Sequence, residues 1–299
     1  MGWTAHRIVL RLRSPMHIGA GKLGNLQRTR PYVVGRNLWG ALTARLTRDD
    51  DLEGKPDPRK YQEVGEDVHS ELAFTYFFPT TDPKGGQPLF PNLDARGHWS
   101  YGGDGSGAYT MDASAFRYRF LSTYASTALD YMAYSAQEAS LHEVECLTPH
   151  TRDGTPVYLT GYIFQRAGSG LKWQDALHRL QIGGERGYGW GRVEVSTLTD
   201  IQESKVPLFG TDHVVRLDES RVRIRMDLGR GQPILAHTLA ADFEEDIAGL
   251  VEPLVGRETK PDTRFGVYLS SARICYTPGA RVEKAVQVQI GRFGIWEAL

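Results

Sequence analysis

Five glycines stand between Gly183 and Gly191, interleaved with Arg186, Tyr188 and Trp190. The run lies directly after a helical pattern and directly before the alternating stretch Val193-Glu194-Val195. Neither a helix nor a strand survives so much glycine, so one element must stop here and another begin. Glycine also takes positive φ and lets a ligand approach the main chain, and a turn of this kind can offer N–H groups to a phosphate. Arg186 and Arg192 add charge, while Tyr188 and Trp190 add faces on which bases stack. A glycine-rich connector without a ligand fits the same composition.

The chain is long enough, at 299 residues, for one large domain or two ordinary ones. Its 40% apolar and 24% charged residues are those of a folded globular protein. No apolar run approaches the length of a membrane span, and Met1 to Arg7 lead into a strand pattern, so the expected location is cytoplasmic. Cys146 and Cys275 alone make neither a disulfide framework nor a cysteine zinc site.

A net charge of −1 hides a strong asymmetry. Nine of the 35 Lys and Arg lie between Met1 and Arg48, a segment without a single Asp or Glu, which leaves 26 basic against 36 acidic residues for the remainder. A polyanion would be met by this one segment. The bland alternative is an arginine face docked on the acidic remainder.

His6 to Arg13 alternates apolar and basic residues and predicts a half-buried strand ending at Ser14-Pro15. Gly19-Ala20-Gly21-Lys22-Leu23-Gly24 matches a dinucleotide fingerprint, but no helix opens directly behind it, as a pyrophosphate site requires. The helix comes later, from Asn37 to Thr47, with Leu38, Leu42 and Leu46 on one side beside Ala41. From Asp49 to Asp112 the composition predicts an irregular insertion with a short helix near Val64 to Phe74, and Asp49, Asp50 and Asp51 form a charged loop tip that could hold a metal. Phe116 to Phe120 alternates like a strand, and Leu141 to Leu147 and Val157 to Phe164 read as a hairpin. Cys146 stands where a zinc hydrolase would need its second histidine after His142-Glu143. Trp173, Leu177 and Leu180 mark a second helix.

The resulting order is β-α-β-β-α-β, a ferredoxin-like α+β arrangement shared with RNA-recognition domains. Residues 1–200 form this first domain, with 49–112 as its insertion. Residues 201–299 form a smaller α+β domain, a degenerate second copy, with strand patterns at His213–Leu217, Arg221–Met226, Gly266–Tyr276 and Val286–Ile290.

Several segments in order carry a resemblance. Leu10 to Gly21 is similar to the first strand and small glycine motif of the RAMP superfamily, the repeat-associated proteins that build CRISPR effector complexes. Tyr32 to Leu42 resembles that family's entry into its first helix, with Val34 in place of a proline and Trp39 in place of a lysine. Thr127-Ala128-Leu129-Asp130 followed by Leu141 to Glu145 looks like the central region of type III backbone subunits, and Gly183 to Gly191 like the signature glycine-rich loop. The resemblance implies a guide-RNA-binding subunit of a type III effector complex, partnered by CRISPR guide RNA, target RNA, other RAMP subunits and the large subunit. The RNA-binding residues it implies are Lys22, Arg28, Arg30, Arg36 and Arg45, with Arg186, Gly187, Tyr188, Gly189, Trp190 and Arg192 of the glycine loop. No cofactor or metal is implied. Cleaving relatives place an aspartate between the first strand and first helix, whereas Gly19 to Arg36 holds no acid. The candidates for an endoribonuclease are then His17 and Asp49, Asp50, Asp51 or Asp112. A protein-interaction module without RNA is the remaining alternative.

Overall fold

The computed structural model describes residues 2–50, 57–103, 109–217, 224–261 and 263–299. In chain order the first part runs through strand β1 (Trp3–Leu12), the hairpin β2 (Gly19–Leu23) and β3 (Leu26–Thr29), and helices α1 (Gly35–Asp50) and α2 (Pro58–Glu71). Strands β4 (Leu72–Phe74) and β5 (Phe78–Thr80) follow, then helices α3 (Ala113–Phe120) and α4 (Trp173–Leu177). The architecture is mixed α/β and rich in strands, and the described strands close no barrel. Among the described residues no helix is long and apolar enough to cross a membrane.

Strand β1 sits inside the main sheet. It pairs antiparallel with Tyr158–Arg166 on one side (Leu10↔Leu159) and with Val193–Ile201 on the other (Ile8↔Leu198). Tyr158–Arg166 in turn pairs antiparallel with β4 (Phe164↔Ala73) and with β5 (Leu159↔Pro79). The order across the sheet is therefore Val193–Ile201, β1, Tyr158–Arg166, β4. The alternation of β1 predicts one wet face, yet Val9, between Arg7 and Arg11, is fully buried. A loop covers it: a Cβ on Gly85 would come 2.6 Å from Val9 Cγ2, and the Arg7 guanidinium donates to the Gly85 carbonyl.

Helix α1 buries Leu38, Ala41, Leu42 and Leu46, the stripe its spacing predicts. It neighbours α4, whose Trp173 meets His6 of β1 edge-on at 5.0 Å. Helix α4 is shorter than its pattern suggests and ends at Leu177, while Leu180 is buried from the loop that follows. The segment expected to be an irregular insertion is largely regular where it is described. Asp57 caps α2 by accepting the Arg59 N–H at 2.8 Å, and Pro58 occupies the first turn, where its missing N–H does no harm. The helix stops at Glu71, and Leu72–Phe74 join the main sheet as its outer strand.

Two other expectations are corrected. Phe116–Phe120 is helix, not strand: Asp112 accepts the N–H groups of Ser114 and Ala115 at 2.9 Å, and the rings of Phe116 and Phe120, four residues apart, stack at 4.9 Å. His142–Leu147 is a strand, but it pairs with Leu121–Ser126 and β3 in a second sheet and forms no hairpin with Tyr158–Arg166. The chain between Leu121–Ser126 and His142–Leu147 projects Tyr131, Met132 and Tyr134 almost wholly into solvent.

After Ile201 the described residues contain no α-helix, which corrects the α+β expectation for 201–299. Pro233, Pro253 and Pro278 punctuate the sequence, and alternation such as Val286, Val288, Ile290 favours strands. An eight-stranded sheet results, with Val286–Ile290 inside it and Val251–Leu254 at one edge. Of the expected strand Arg221–Met226, residues 221–223 lie outside the described residues, and the strand runs Arg225–Leu228. One apolar core extends from Trp3 to Trp296 and joins both parts of the chain.

Candidate nucleic-acid interface

The end of β3, the exposed side of α1, the glycine loop and the segment from Leu254 to Arg273 enclose a cleft of about 1310 Å3. Six arginines line it, Arg30, Arg36, Arg48, Arg186, Arg257 and Arg273, against two acids, Asp57 and Glu258. Trp39, Tyr61, Phe265 and Phe293 add aromatic surface. Tyr61 and Phe265 meet edge-on at 5.7 Å, and Arg36 lies over the Phe293 ring at 4.4 Å. Burial raises the Tyr61 hydroxyl above its ordinary range, while the charges of Arg186 and Arg36 pull it back. Both guanidiniums therefore act on one ring of the cleft.

The arginines do not play one role. Arg36 is clamped: it donates to Glu258 at 3.1 Å, stacks on Phe293, and packs so closely on Gly256 that a Cβ there would come 2.1 Å from its Nε. Arg30 is buried and ion-paired with Glu252, which also bonds His237 Nε2 at 2.6 Å, while Tyr76 bonds His237 Nδ1 at 2.8 Å. Arg30 thus forms the floor of the cleft and is not the free cation its sequence position suggests. Burial alone would raise the Glu252 carboxyl, but the His237 and Arg30 hydrogen bonds and the Arg30 charge hold it at about 2. Arg48 and Arg186 are exposed and have no acidic partner among the described residues.

Of the residues expected to bind RNA, the cleft collects Arg30, Arg36 and Arg186. Lys22 and Arg28 are exposed on the β2–β3 hairpin, outside the cleft lining. Arg45 is paired with Asp49, four residues on, and the same carboxylate takes Arg179 at 2.7 Å. Tyr188 and Arg192 are exposed, and Trp190 packs edge-on against Tyr124 at 5.2 Å. The cations of the basic segment therefore divide into two sets. Arg13, Arg30, Arg36 and Arg45 pair with acids beyond Arg48, whereas Lys22, Arg28 and Arg48 face solvent.

The glycine loop is shaped by contacts within the protein. Gly184 N–H donates to the His17 carbonyl at 2.9 Å and Gly191 N–H to that of Pro15 at 2.7 Å, so these groups are not offered to a phosphate. Gly183 (φ 95°) and Gly191 (φ 77°) are left-handed, and a Cβ would stand 2.4 Å from the His17 oxygen and 2.1 Å from the Ile182 oxygen respectively. Gly189 has φ 81° in open space, and Gly187 needs neither positive φ nor room. Gly183 and Gly191 are thus closed to a side chain by backbone contacts, while Gly189 is constrained by its φ alone and Gly187 by neither.

Among the acidic candidates, Asp49 is held by two arginines and Asp112 caps α3. Asp50 is exposed, and Asp51 lies outside the described residues. The described residues contain no group of three His, Cys, Asp or Glu placed to hold a metal ion. His17 is buried to 7% exposure and lines the cleft.

His69 supports the cleft wall. Its ring stacks on Trp39 at 4.8 Å and meets Phe293 edge-on at 4.6 Å. Burial, followed by the charge of Arg292, pushes its pKa down to about 3. The unfolded chain then binds the proton more readily between the ordinary histidine value and about 3, so stability is full above about pH 6.5 and declines as pH falls. His237, also lowered by burial, acts in the same direction. The melting temperature is expected to drop steadily from pH 7 to pH 4.5, and His69→Phe to flatten that part of the profile, as read by scanning calorimetry.

No family model matches this chain, and no curated protein matches it in sequence. Its fold is similar to that of a chain in a cryo-EM structure of Type III-B Cmr-beta bound to cognate target RNA and AMPPnP, with a TM-score of 0.54 and 13% identity over 92% of this chain and 85% of that one. A chain in a second cryo-EM structure, of Type III-B Cmr-beta bound to cognate target RNA, gives 0.51 and 13%, over 92% and 86%. At this identity the likeness is one of fold.

Proposed function

We propose that this chain is a guide-RNA-binding subunit of a type III CRISPR effector complex, a RAMP protein that works in the cytoplasm beside other RAMP subunits, the large subunit and target RNA. The observation that carries the reading is the cleft: six arginines and five aromatic side chains line one channel built by α1, the glycine loop and the C-terminal segment. Guanidiniums bind phosphates and aromatic faces stack unpaired bases, the two requirements of single-stranded RNA. The fold supports it. In β1, β4, Tyr158–Arg166 and Val193–Ile201, taken as first to fourth, the sheet order is fourth, first, third, second, with α1 and α4 as the two crossover helices. That is the ferredoxin-like order, which we assign to residues 1–200, with 201–299 as the second domain.

Arg48, Arg186 and Arg257 are the phosphate contacts, Tyr61, Phe265 and Phe293 the stacking surface, and Arg36 and Arg30 hold the wall and floor. Lys22, Arg28, Tyr188 and Arg192, exposed outside the cleft, extend the path. The subunit binds without cutting: Gly19 to Arg36 lacks a carboxylate, and Asp49 and Asp112 are engaged by structural partners. Replacing Arg48, Arg186 and Arg257 together by alanine should weaken binding of a single-stranded guide RNA and flatten its salt dependence. Each neutralised phosphate contributes roughly −0.7 to the log–log slope for single strands, so three lost contacts change it by about 2. An unchanged slope, measured by fluorescence anisotropy from 50 to 300 mM salt on the order of these concentrations, removes the cleft from the binding site.

A further inference from the structure

His17 is held in place from three directions. Its neighbour Met16 pairs with Leu147 of the second sheet, its own carbonyl accepts the Gly184 N–H at 2.9 Å, and its Nδ1 lies 2.8 Å from the Glu145 carbonyl. A carbonyl only accepts, so Nδ1 carries the proton and donates, which leaves Nε2 of the neutral ring as a lone-pair acceptor. The acceptor tautomer is thus fixed by the fold. His17 is 7% exposed and lines the cleft, and no described protein group bonds Nε2.

The charged lining of the cleft is mostly of the opposite character, six arginines against Asp57 and Glu258. Guanidiniums only donate, and they suit the phosphates of any nucleic acid, which only accept. An acceptor on a residue 7% exposed, opening on a cleft whose charged groups are mostly donors, suits a donor brought by the ligand. The backbone of DNA has none to offer, whereas RNA presents one on every ribose, the 2′-hydroxyl. Position agrees with this. The Gly184 N–H bound to His17 lies two residues before Arg186, which is exposed, lines the same cleft and has no acidic partner among the described residues, so the loop that holds His17 also carries a phosphate donor.

We infer that His17 Nε2 accepts a hydrogen bond from a 2′-hydroxyl of the bound strand and makes the cleft selective for RNA over DNA. The inference rests on the RNA-binding reading above and adds the group that distinguishes the sugar. His17 is here a specificity-determining residue, and no bond is made or broken.

The test uses the full chain and three labelled single strands of one sequence: RNA, 2′-fluoro RNA, which keeps the ribose pucker but cannot donate, and DNA. The wild-type protein is expected to bind RNA about tenfold more tightly than 2′-fluoro RNA, the worth of one net hydrogen bond to a buried acceptor. His17→Asn keeps a side-chain N–H able to reach the Glu145 carbonyl but removes the Nε2 acceptor. It should weaken RNA binding to the level of 2′-fluoro RNA and leave DNA unchanged. Equal binding of RNA and 2′-fluoro RNA by the wild type overturns the inference even if His17→Asn fails to fold. So does a preference that His17→Asn retains, or strand scission that the variant abolishes, which would make His17 catalytic. Should the wild-type protein bind none of the strands, the RNA reading itself falls; binding of all three alike removes only the role of His17.

Discussion

Gly191→Ala is expected to be among the most damaging single substitutions in this protein, and Gly183→Ala nearly as damaging. Each position combines a left-handed φ with a Cβ site 2.1 or 2.4 Å from a backbone carbonyl oxygen, and a backbone oxygen cannot swing away as a flexible side chain can. Left-handed strain contributes about 1–3 kcal/mol and overpacking a similar amount. At a few degrees per kcal/mol for a chain of this size, the melting temperature should fall by about 10 °C. Gly187→Ala, with no positive φ and nothing within 4 Å, should leave stability within about 0.5 kcal/mol of the wild type. Thermal melts of the three variants decide the matter, and a Gly191→Ala protein as stable as Gly187→Ala would refute the loop geometry.

The second large effect is expected at Glu252. Its carboxylate joins the end of β3 to the C-terminal sheet by accepting from buried Arg30 and bonding fully buried His237. Glu252→Gln keeps the shape but leaves the Arg30 charge buried without its counter-ion, and breaking such a pair from one side costs about 3–5 kcal/mol. The half-exposed pair of Arg36 and Glu258 supplies the control, because Glu258→Gln should cost about 1 kcal/mol or less. Urea unfolding of both variants measures the contrast, and equal losses would mean that the Arg30 pair is solvated. The wild-type pair also predicts acid sensitivity. With the Glu252 carboxyl held at about 2, below its ordinary value, its contribution is full above about pH 4.5 and is lost as pH falls towards 2.

Where local chemistry decided structure, the sequence could be read. Leu38, Leu42 and Leu46 lie one helical turn apart and all are buried in α1. The glycine run ends the α4 region and precedes Val193–Ile201, as its composition demands. Phe116 to Phe120 misled because one pentapeptide satisfies two periods: it alternates, and its phenylalanines are also four apart. Asp112, with Ser114 and Ala115 behind it, was the cap signal that separates the two.

The cleft was legible on one side only. Arg36 and Arg186 announce themselves in basic, glycine-rich segments. Tyr61 lies in a stretch whose charged flanks resemble a loop, and Arg257, Phe265, Arg273 and Phe293 belong to strands and turns that tertiary packing alone brings opposite α1. The same distance hid the fate of Arg30, whose partner Glu252 is 222 residues away. No local pattern encodes that pairing, and without it a buried structural arginine and a free RNA ligand look alike.

The central claim is that single-stranded RNA lies in the cleft between α1, the glycine loop and the Leu254–Arg273 segment. The most direct measurement is photocrosslinking of 4-thiouridine-substituted guide RNA to the full chain, followed by mass spectrometry of the crosslinked peptides. Crosslinks at Tyr61, Phe265 and Phe293 are the predicted result, lost when Arg48, Arg186 and Arg257 are replaced together. Crosslinks that avoid all three rings and persist in the triple variant would contradict it.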